Sequence, residues 1–305
     1  KYQHSWSIPQ TLENLVEALE NGWDISISTS GSTGLPKEIF LPASAMIFSA
    51  KNANTYVGAK PGDRWSLLLS PEHTAGLNVL IRSIELGTTP VTVNESAEFT
   101  AIVPTQLFRA LNGDAQLLKH LQGCKAVLVG GAHAELELLA SAKSFGINCI
   151  TTYGMTETSG GCIYNGEPLP GVEIRIGETI ELKGPMLAKV ELKDGFFVTS
   201  DLGKIENGKL IVLGRADDVI NSGGKKVSLS KVENALGDAF AAFGSENSEW
   251  GSALNIATTS QMSDAEIQLV LSVKFGVKAL NIYRVAEIPR TALMKIDRQG
   301  LGKLV

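Results

Sequence analysis

The segment Ser28-Thr29-Ser30-Gly31-Ser32-Thr33-Gly34-Leu35-Pro36-Lys37 gathers hydroxyl side chains, two glycines and a lysine. Glycines let backbone amides curl round an anion, hydroxyls add donors and the lysine adds a point charge, a composition suited to a polyphosphate. A Walker A loop requires G-x-x-x-x-G-K-[ST]. Here Gly31 and Gly34 are three apart and Lys37 precedes Glu38, which disfavours an ordinary P-loop. Ser and Gly alone would read as a flexible linker, but an expected strand before the segment and the Pro36-Lys37 end weigh against that. Further along, Thr156 and Glu157 place a hydroxyl beside a carboxylate, oxygen ligands of the kind that Mg2+ takes when it bridges nucleotide phosphates. Asp201 can accept hydrogen bonds from the vicinal hydroxyls of a ribose, or is a solvated turn residue. Gly130-Gly131-Ala132 offers bare backbone to a flat base, and reads equally as a plain turn; Tyr153 can stack on that base or belong to the core.

These residues need a scaffold, and the hydrophobic pattern supplies one. The 305 residues suggest two domains, and 44% hydrophobic with 19% charged residues excludes a disordered, collagen-like or coiled-coil chain. Strands are expected at 25–29, 65–69, 90–93, 101–103, 126–129 and 147–152, alternating with helices at 43–59, 75–86, 106–111 and 134–145. The phosphate loop would then leave a strand and enter a helix. Period-2 segments follow at 173–176, 179–182 and 209–213; beyond Asp217 a helix at 229–241, strands at 253–257 and 268–273 and a late helix are expected. The expected fold is α/β: a large layered N-terminal domain (1–216) with a small β unit, then a small mobile α+β C-terminal domain (217–305).

A net charge of −5 argues against a nucleic-acid partner. No apolar run is long enough to span a membrane, and the start Lys1-Tyr2-Gln3-His4-Ser5 lacks a signal-peptide pattern, so a cytoplasmic location is expected. Cys124, Cys149 and Cys162 form no CxxC pair, and the four histidines have no zinc-like spacing; any metal is expected to be Mg2+ arriving with a nucleotide.

The loop resembles the phosphate loop of the adenylate-forming superfamily, and four further segments match that family in order. They are Tyr153-Gly154-Met155-Thr156-Glu157, Thr199-Ser200-Asp201-Leu202-Gly203, Gly214-Arg215-Ala216-Asp217-Asp218-Val219-Ile220 with Ser222-Gly223-Gly224-Lys225, and Pro289-Arg290-Thr291-Ala292-Leu293-Met294-Lys295. The resemblance implies a ligase using ATP, Mg2+ and coenzyme A, in which Glu157 holds Mg2+, Asp201 reads the ribose and Gly130-Gly131-Ala132 forms the adenine wall. It also implies that Lys295 supplies the cation for attack of a carboxylate on the α-phosphate, where two anions must approach. Arg215 would meet ribose or phosphate, and Asp217 would be the hinge about which the C-terminal domain turns. Gly223, Gly224 and Lys225 would then approach the pantetheine arm, or form a charged turn. Members of the superfamily carry a longer stretch ahead of the loop than the 27 residues preceding Ser28 here, so a shortened N-terminal subdomain is expected.

The acid is addressed by Ser70-Pro71-Glu72-His73-Thr74-Ala75-Gly76-Leu77-Asn78-Val79-Leu80-Ile81-Arg82. Arg82 would sit among apolar residues on a helix and so needs an anionic partner, either a second substrate carboxylate or Glu85 at i+3. His-x-x-Gly-Leu followed by arginine is similar to the o-succinylbenzoate–CoA ligases of menaquinone biosynthesis, whose substrate is an aromatic dicarboxylic acid. With Arg82, His73, Thr105, Gln106 and Ser159 would line that pocket. An adenylation domain loading a carrier protein and an inactive nucleotide-binding scaffold are the other readings; the oligomeric state is not legible.

Overall fold

The computed structural model describes residues 5–7, 12–30, 36–247, 251–290 and 296–304, with the side chains of 5–7, 29, 30, 36, 217 and 299 outside the description. The chain forms two compact units, with Lys37–Thr199 the bulk of the first and Val212–Val305 the bulk of the second.

The first unit opens with β1 (Ser5–Ser7), α1 (Leu12–Glu20), β2 (Asp24–Ser30), β3 (Pro36–Leu41) and α2 (Ala43–Tyr56). The three strands form one sheet, β1-β2-β3. The segment expected to bind phosphate therefore runs between two strands, and the helix expected directly after it begins only beyond β3; Ile39 and Leu41 alternate inward, the period of a strand. The larger sheet is assembled by β4 (Trp65–Ser66), α3 (Thr74–Glu85), β5 (Phe99–Ile102), α4 (Pro104–Leu111), α5 (Ala115–Gly123), β6 (Ala126–Val129), α6 (Leu136–Ser144), β7 (Cys149–Met155), β8 (Gly160–Tyr164) and β9 (Glu167–Pro168). Its order is β4-β5-β6-β7-β8-β9. β4 to β7 are parallel, and β8 and β9 add antiparallel to that edge. Parallel strands covered by helices have no solvent face, so Phe99–Ile102 and Ala126–Val129 are buried at every position, and Thr100, polar among them, donates to Ser66 O at 3.2 Å. The strand expected at 90–93 is reduced to one bridge between Val91 and Ser66. α5 was not expected; Asp114 caps it by accepting from the Leu117 amide at 3.1 Å.

The small antiparallel sheet is β10 (Glu173–Ile176), β11 (Ile180–Lys183) and β12 (Phe197–Val198), and a hairpin of β13 (Asp201–Glu206) and β14 (Lys209–Arg215) follows. The second unit then contains β15 (Val219–Ser222), β16 (Lys225–Ser228), α7 (Leu229–Leu236), β17 (Phe240–Asn247), β18 (Gly251–Thr258), α8 (Asp264–Phe275), β19 (Asn281–Arg284) and α9 (Arg298–Gly302). Its sheet runs β16-β15-β18-β17, with β19 parallel to β18. Val232, Leu254, Ile256, Ile267 and Leu271 fill its core.

Two expectations fail here for physical reasons. The helix expected over 229–241 stops at Leu236: Gly237 takes φ 103°, which a side-chain-bearing residue resists, and Phe240 begins β17. The strand expected at 268–273 is the middle of α8. Ser263 and Glu266 form a reciprocal capping box, and Ile267 and Leu271 are buried one turn apart while Leu269 and Val273 face outward.

Candidate active site

In the first unit the chemistry-bearing residues cluster at the carboxyl end of the parallel strands. Gly130 directly follows β6, and a Cβ there would lie 2.2 Å from Thr152 Oγ1 of the neighbouring β7, a contact that a larger residue could make only by displacing Thr152. Gly131 and Ala132 continue as an exposed rim. Tyr153, half-buried, pairs with Ile163; the register then shifts between Tyr153 and Gly154, and a Cβ on Gly154 would meet Gly160 O at 2.0 Å. Such a bulge re-aims the residues that follow it.

Those residues are Thr156 and Glu157, in a tight 3-10 turn, Thr156–Thr158. Buried Thr158 anchors the turn: its hydroxyl accepts from the Met155 amide at 2.9 Å and donates to Gly160 O at 2.7 Å. Ser159 completes it at φ 51°, a left-handed conformation costing a side-chain-bearing residue about 1 kcal/mol. The backbone of Glu157 is held by the Ala188 amide at 2.9 Å, while its half-buried carboxylate has no hydrogen-bond or ion-pair partner among the described residues. Among them, too, no three His, Cys, Asp or Glu side chains converge into a metal cage. A lone presented carboxylate fits Mg2+ that brings most of its oxygen ligands as phosphates and water.

α3 stands beside this turn and is buried on two faces. Leu77 and Ile81 enter the core formed with α1, α2, β2 and β3. Thr74, Asn78 and Arg82, four residues apart, face the turn and β8: the Thr74 hydroxyl lies 3.1 Å from that of Thr156, Asn78 Nδ2 donates to Ser159 O at 2.8 Å, and Arg82 donates to the Tyr164 hydroxyl at 3.3 Å. Arg82 is only 4% exposed and lies over the Trp65 ring at 4.8 Å. No carboxylate lies within ion-pair distance of it among the described residues, its Nε has no partner there, and Glu85 pairs instead with Lys51 at 3.6 Å. The anion that Arg82 calls for is therefore not Glu85. Burial pushes the Tyr164 hydroxyl pKa up, with Arg82 opposing. His73 caps α3 but is exposed and makes no side-chain cap bond; Thr105 is exposed at the start of α4. Gln106 is committed elsewhere, accepting from Val103 N at 3.0 Å and donating to Leu68 O at 2.8 Å.

Of the segment expected to bind phosphate, Ser28 is exposed on β2, Thr29 and Ser30 end that strand, and Lys37 is exposed on β3. Gly31, Ser32, Thr33 and Gly34 lie outside the described residues, as does Lys295. In the second unit Asp201 is buried with Arg215 Nη1 3.8 Å away. Asp217 lies in a 3-10 turn, Ala216–Asp218. Gly223 and Gly224, both left-handed at φ 59° and 80°, form the two-residue turn between β15 and β16. Lys225 donates to Gly276 O at 2.7 Å, binding that turn to the end of α8. The cysteines are poor nucleophiles: burial pushes Cys124 and Cys162 up to about 12 and Cys149 to about 11. A surface cavity of about 690 Å3 beside α6, lined by Leu139, Lys143, Gly146, Asn148 and Cys149 among others, includes none of the candidates.

Sequence reasoning missed Thr74, Asn78, Thr158 and Tyr164. The signal available for the first two was a polar i, i+4, i+8 row, ending in Arg82, inside an otherwise apolar helix.

The family described as AMP-binding enzyme matches residues 25–193. A probable 2-succinylbenzoate–CoA ligase of Mycobacterium tuberculosis (strain ATCC 25618 / H37Rv) is 35% identical, the match covering 97% of this chain and 89% of that protein. The solved structure of o-succinylbenzoate CoA synthetase from Bacillus subtilis in complex with the acyl-adenylate intermediate OSB-AMP superposes with a TM-score of 0.79 at 26% identity, over 91% of this chain and 68% of that one. The same enzyme in complex with ATP and magnesium ion gives 0.78 at 25% identity, over 91% and 69%.

Proposed function

The chain belongs to the AMP-binding enzyme family, and we propose that it is an ATP-dependent ligase that converts o-succinylbenzoate to o-succinylbenzoyl-CoA in menaquinone biosynthesis. What carries the reading is similarity running along 97% of the chain to a protein named for that reaction. The reaction proceeds in two steps. A substrate carboxylate oxygen attacks the α-phosphorus of ATP and pyrophosphate leaves; the thiol of coenzyme A then attacks the acyl carbon, loses its proton, and AMP leaves with the transferred oxygen.

Each candidate takes a role in that scheme. Ser28 to Lys37 and the Gly130-Gly131-Ala132 rim receive phosphates and base, with Tyr153 and Gly154 beside the base. Mg2+ supplies charge neutralisation of the phosphate oxygens. Glu157 ligates it, Thr156 adds a hydroxyl donor, and Lys295 offsets the repulsion between the reacting anions. Asp201 takes the ribose hydroxyls and Arg215 the neighbouring phosphate or ribose. Arg82, a buried cation lacking a carboxylate partner among the described residues, meets the second carboxylate of the acid, with His73, Thr105 and Ser159 nearby in the proposed pocket. The proposed division of labour assigns 1–216 to nucleotide and acid and 217–305 to the mobile domain hinged at Asp217, with Gly223, Gly224 and Lys225 serving coenzyme A. The proposed location is the cytoplasm, in keeping with the absence of a membrane-spanning helix among the described residues.

Incubation with Mg-ATP, coenzyme A and o-succinylbenzoate tests the proposal: AMP and the free CoA thioester should form one for one. Release of AMP with other aryl acids but not with this one would remove the substrate assignment. Pyrophosphate exchange without a free thioester would favour a carrier-loading domain.

A further inference from the structure

Thr74, Asn78 and Arg82 make a polar ladder of three rungs on one face of α3, and the rungs meet residues in chain order along the β7–β8 connection and β8 itself: Thr156, Ser159, then Tyr164 at the end of β8. The first rung touches the turn carrying Glu157 and the last belongs to the proposed acid-recognising arginine. Asn78 is the middle rung and differs from the others in bonding twice, Nδ2 donating to Thr74 O at 2.9 Å and to Ser159 O at 2.8 Å. It is 1% exposed and Ser159 is fully buried. A Cβ on Gly160 (φ 93°) would lie 2.5 Å from Nδ2, so β8 begins in direct contact with this amide. Asn78 Oδ1, Ser159 Oγ and Arg82 Nε are all buried without a partner among the described residues. Buried polar atoms are ordinarily satisfied, and a row of unsatisfied ones between α3 and β8 marks a place built for a polar group.

We propose that Asn78 is a positioning residue for acid recognition: by holding Ser159 in its left-handed conformation against α3, it sets Ser159 Oγ and the start of β8 relative to Arg82, and so fixes where the second carboxylate binds. This rests on the ligase reading above. Nucleotide contacts depend less on it, because Thr158 and Thr74 hold the Thr156–Glu157 turn independently.

The test is Asn78→Ser. A serine on a helix keeps the bond to the carbonyl four residues back, as Ser83 Oγ does to Val79 O at 3.0 Å, but is too short to reach Ser159 as well. With o-succinylbenzoate, the KM for the acid should rise about tenfold or more while the KM for ATP stays within about twofold. Amide hydrogen exchange over 156–164 should quicken, with 43–56 in α2 unchanged. Asn78→Leu, which keeps the volume without either bond, should give the same split. Equal rises in both KM values, or wild-type acid KM with unchanged exchange over 156–164, would overturn the proposal. If the wild-type chain ligates no o-succinylbenzoate, the ligase reading fails on its own, and the exchange comparison still decides whether Asn78 holds Ser159.

Discussion

Lys295 and Glu157 divide one electrostatic task between them in the proposed mechanism. One adds positive charge where two anions meet, and the other holds the metal that neutralises the phosphates. Positioned charge of this kind contributes most when the reacting group carries more charge in the transition state than in the ground state. Lys295→Ala is accordingly expected to slow acyl-adenylate formation by about 10²- to 10³-fold, yet to leave thioester formation from supplied acyl-adenylate largely intact. Single-turnover measurement of each half-reaction checks this, and equal loss in both would place the lysine elsewhere in the cycle. Glu157 could be singled out from its neighbours because the adjacent hydroxyl of Thr156 is a local feature of the sequence. Asn78 was not, because its partner Ser159 lies 81 positions away and no spacing rule links them. Gly130 was read as bare backbone for a base or as a plain turn, whereas a Cβ there would crowd the Thr152 hydroxyl on the next strand.

The elements most legible in the sequence were those whose pattern is set by a single face or by full burial: β6 and β10 fall on the expected residues, and α2 and α3 lie within about three residues of expectation at each end. α8 was misread because Gln268-Leu269-Val270-Leu271-Ser272-Val273 carries the β-branched and apolar content of a strand. Its capping box was the better guide, since Ser263 and Glu266 satisfy amides that only a helix leaves open. α7, α9 and the 3-10 turn Ala216–Asp218 ahead of β15 meet at one ion cluster in the second unit. Arg298 reaches Asp218 at 2.8 Å and Glu233 at 3.0 Å, and Asp218 also accepts from Ser230 N at 2.9 Å. Burial pushes Glu233 up to about 7 from its ordinary 4.5, against the pull of Arg298 and the Ala242 amide and with a push from Asp218. Between those two values the folded chain holds a proton that the unfolded chain has lost. The contribution of Glu233 is thus full below pH 4.5 and is lost as pH rises to about 7. Urea unfolding across pH 5 to 8 should show stability falling with pH in the wild type and a flatter profile in Glu233→Gln; identical slopes would contradict this origin.

For the chain as a whole, the layered α/β class and the small antiparallel sheet followed from hydrophobic period and turn residues. Sheet order did not, since pairing across the parallel sheet is decided by packing between residues far apart in sequence. The proposed acid also belongs to this level. In the proposed reading, a buried arginine, a polar ladder and the proposed nucleotide segments serve one chain that first activates a carboxylate and then transfers it. The order of those bonds leaves a mark on the products. When o-succinylbenzoate labelled with oxygen-18 in its reacting carboxylate is turned over with Mg-ATP and coenzyme A, one labelled oxygen should appear in AMP, because the attacking oxygen stays on phosphorus when the thiol displaces it. Unlabelled AMP, or label found in inorganic phosphate alongside ADP, would contradict an acyl-adenylate route in this protein.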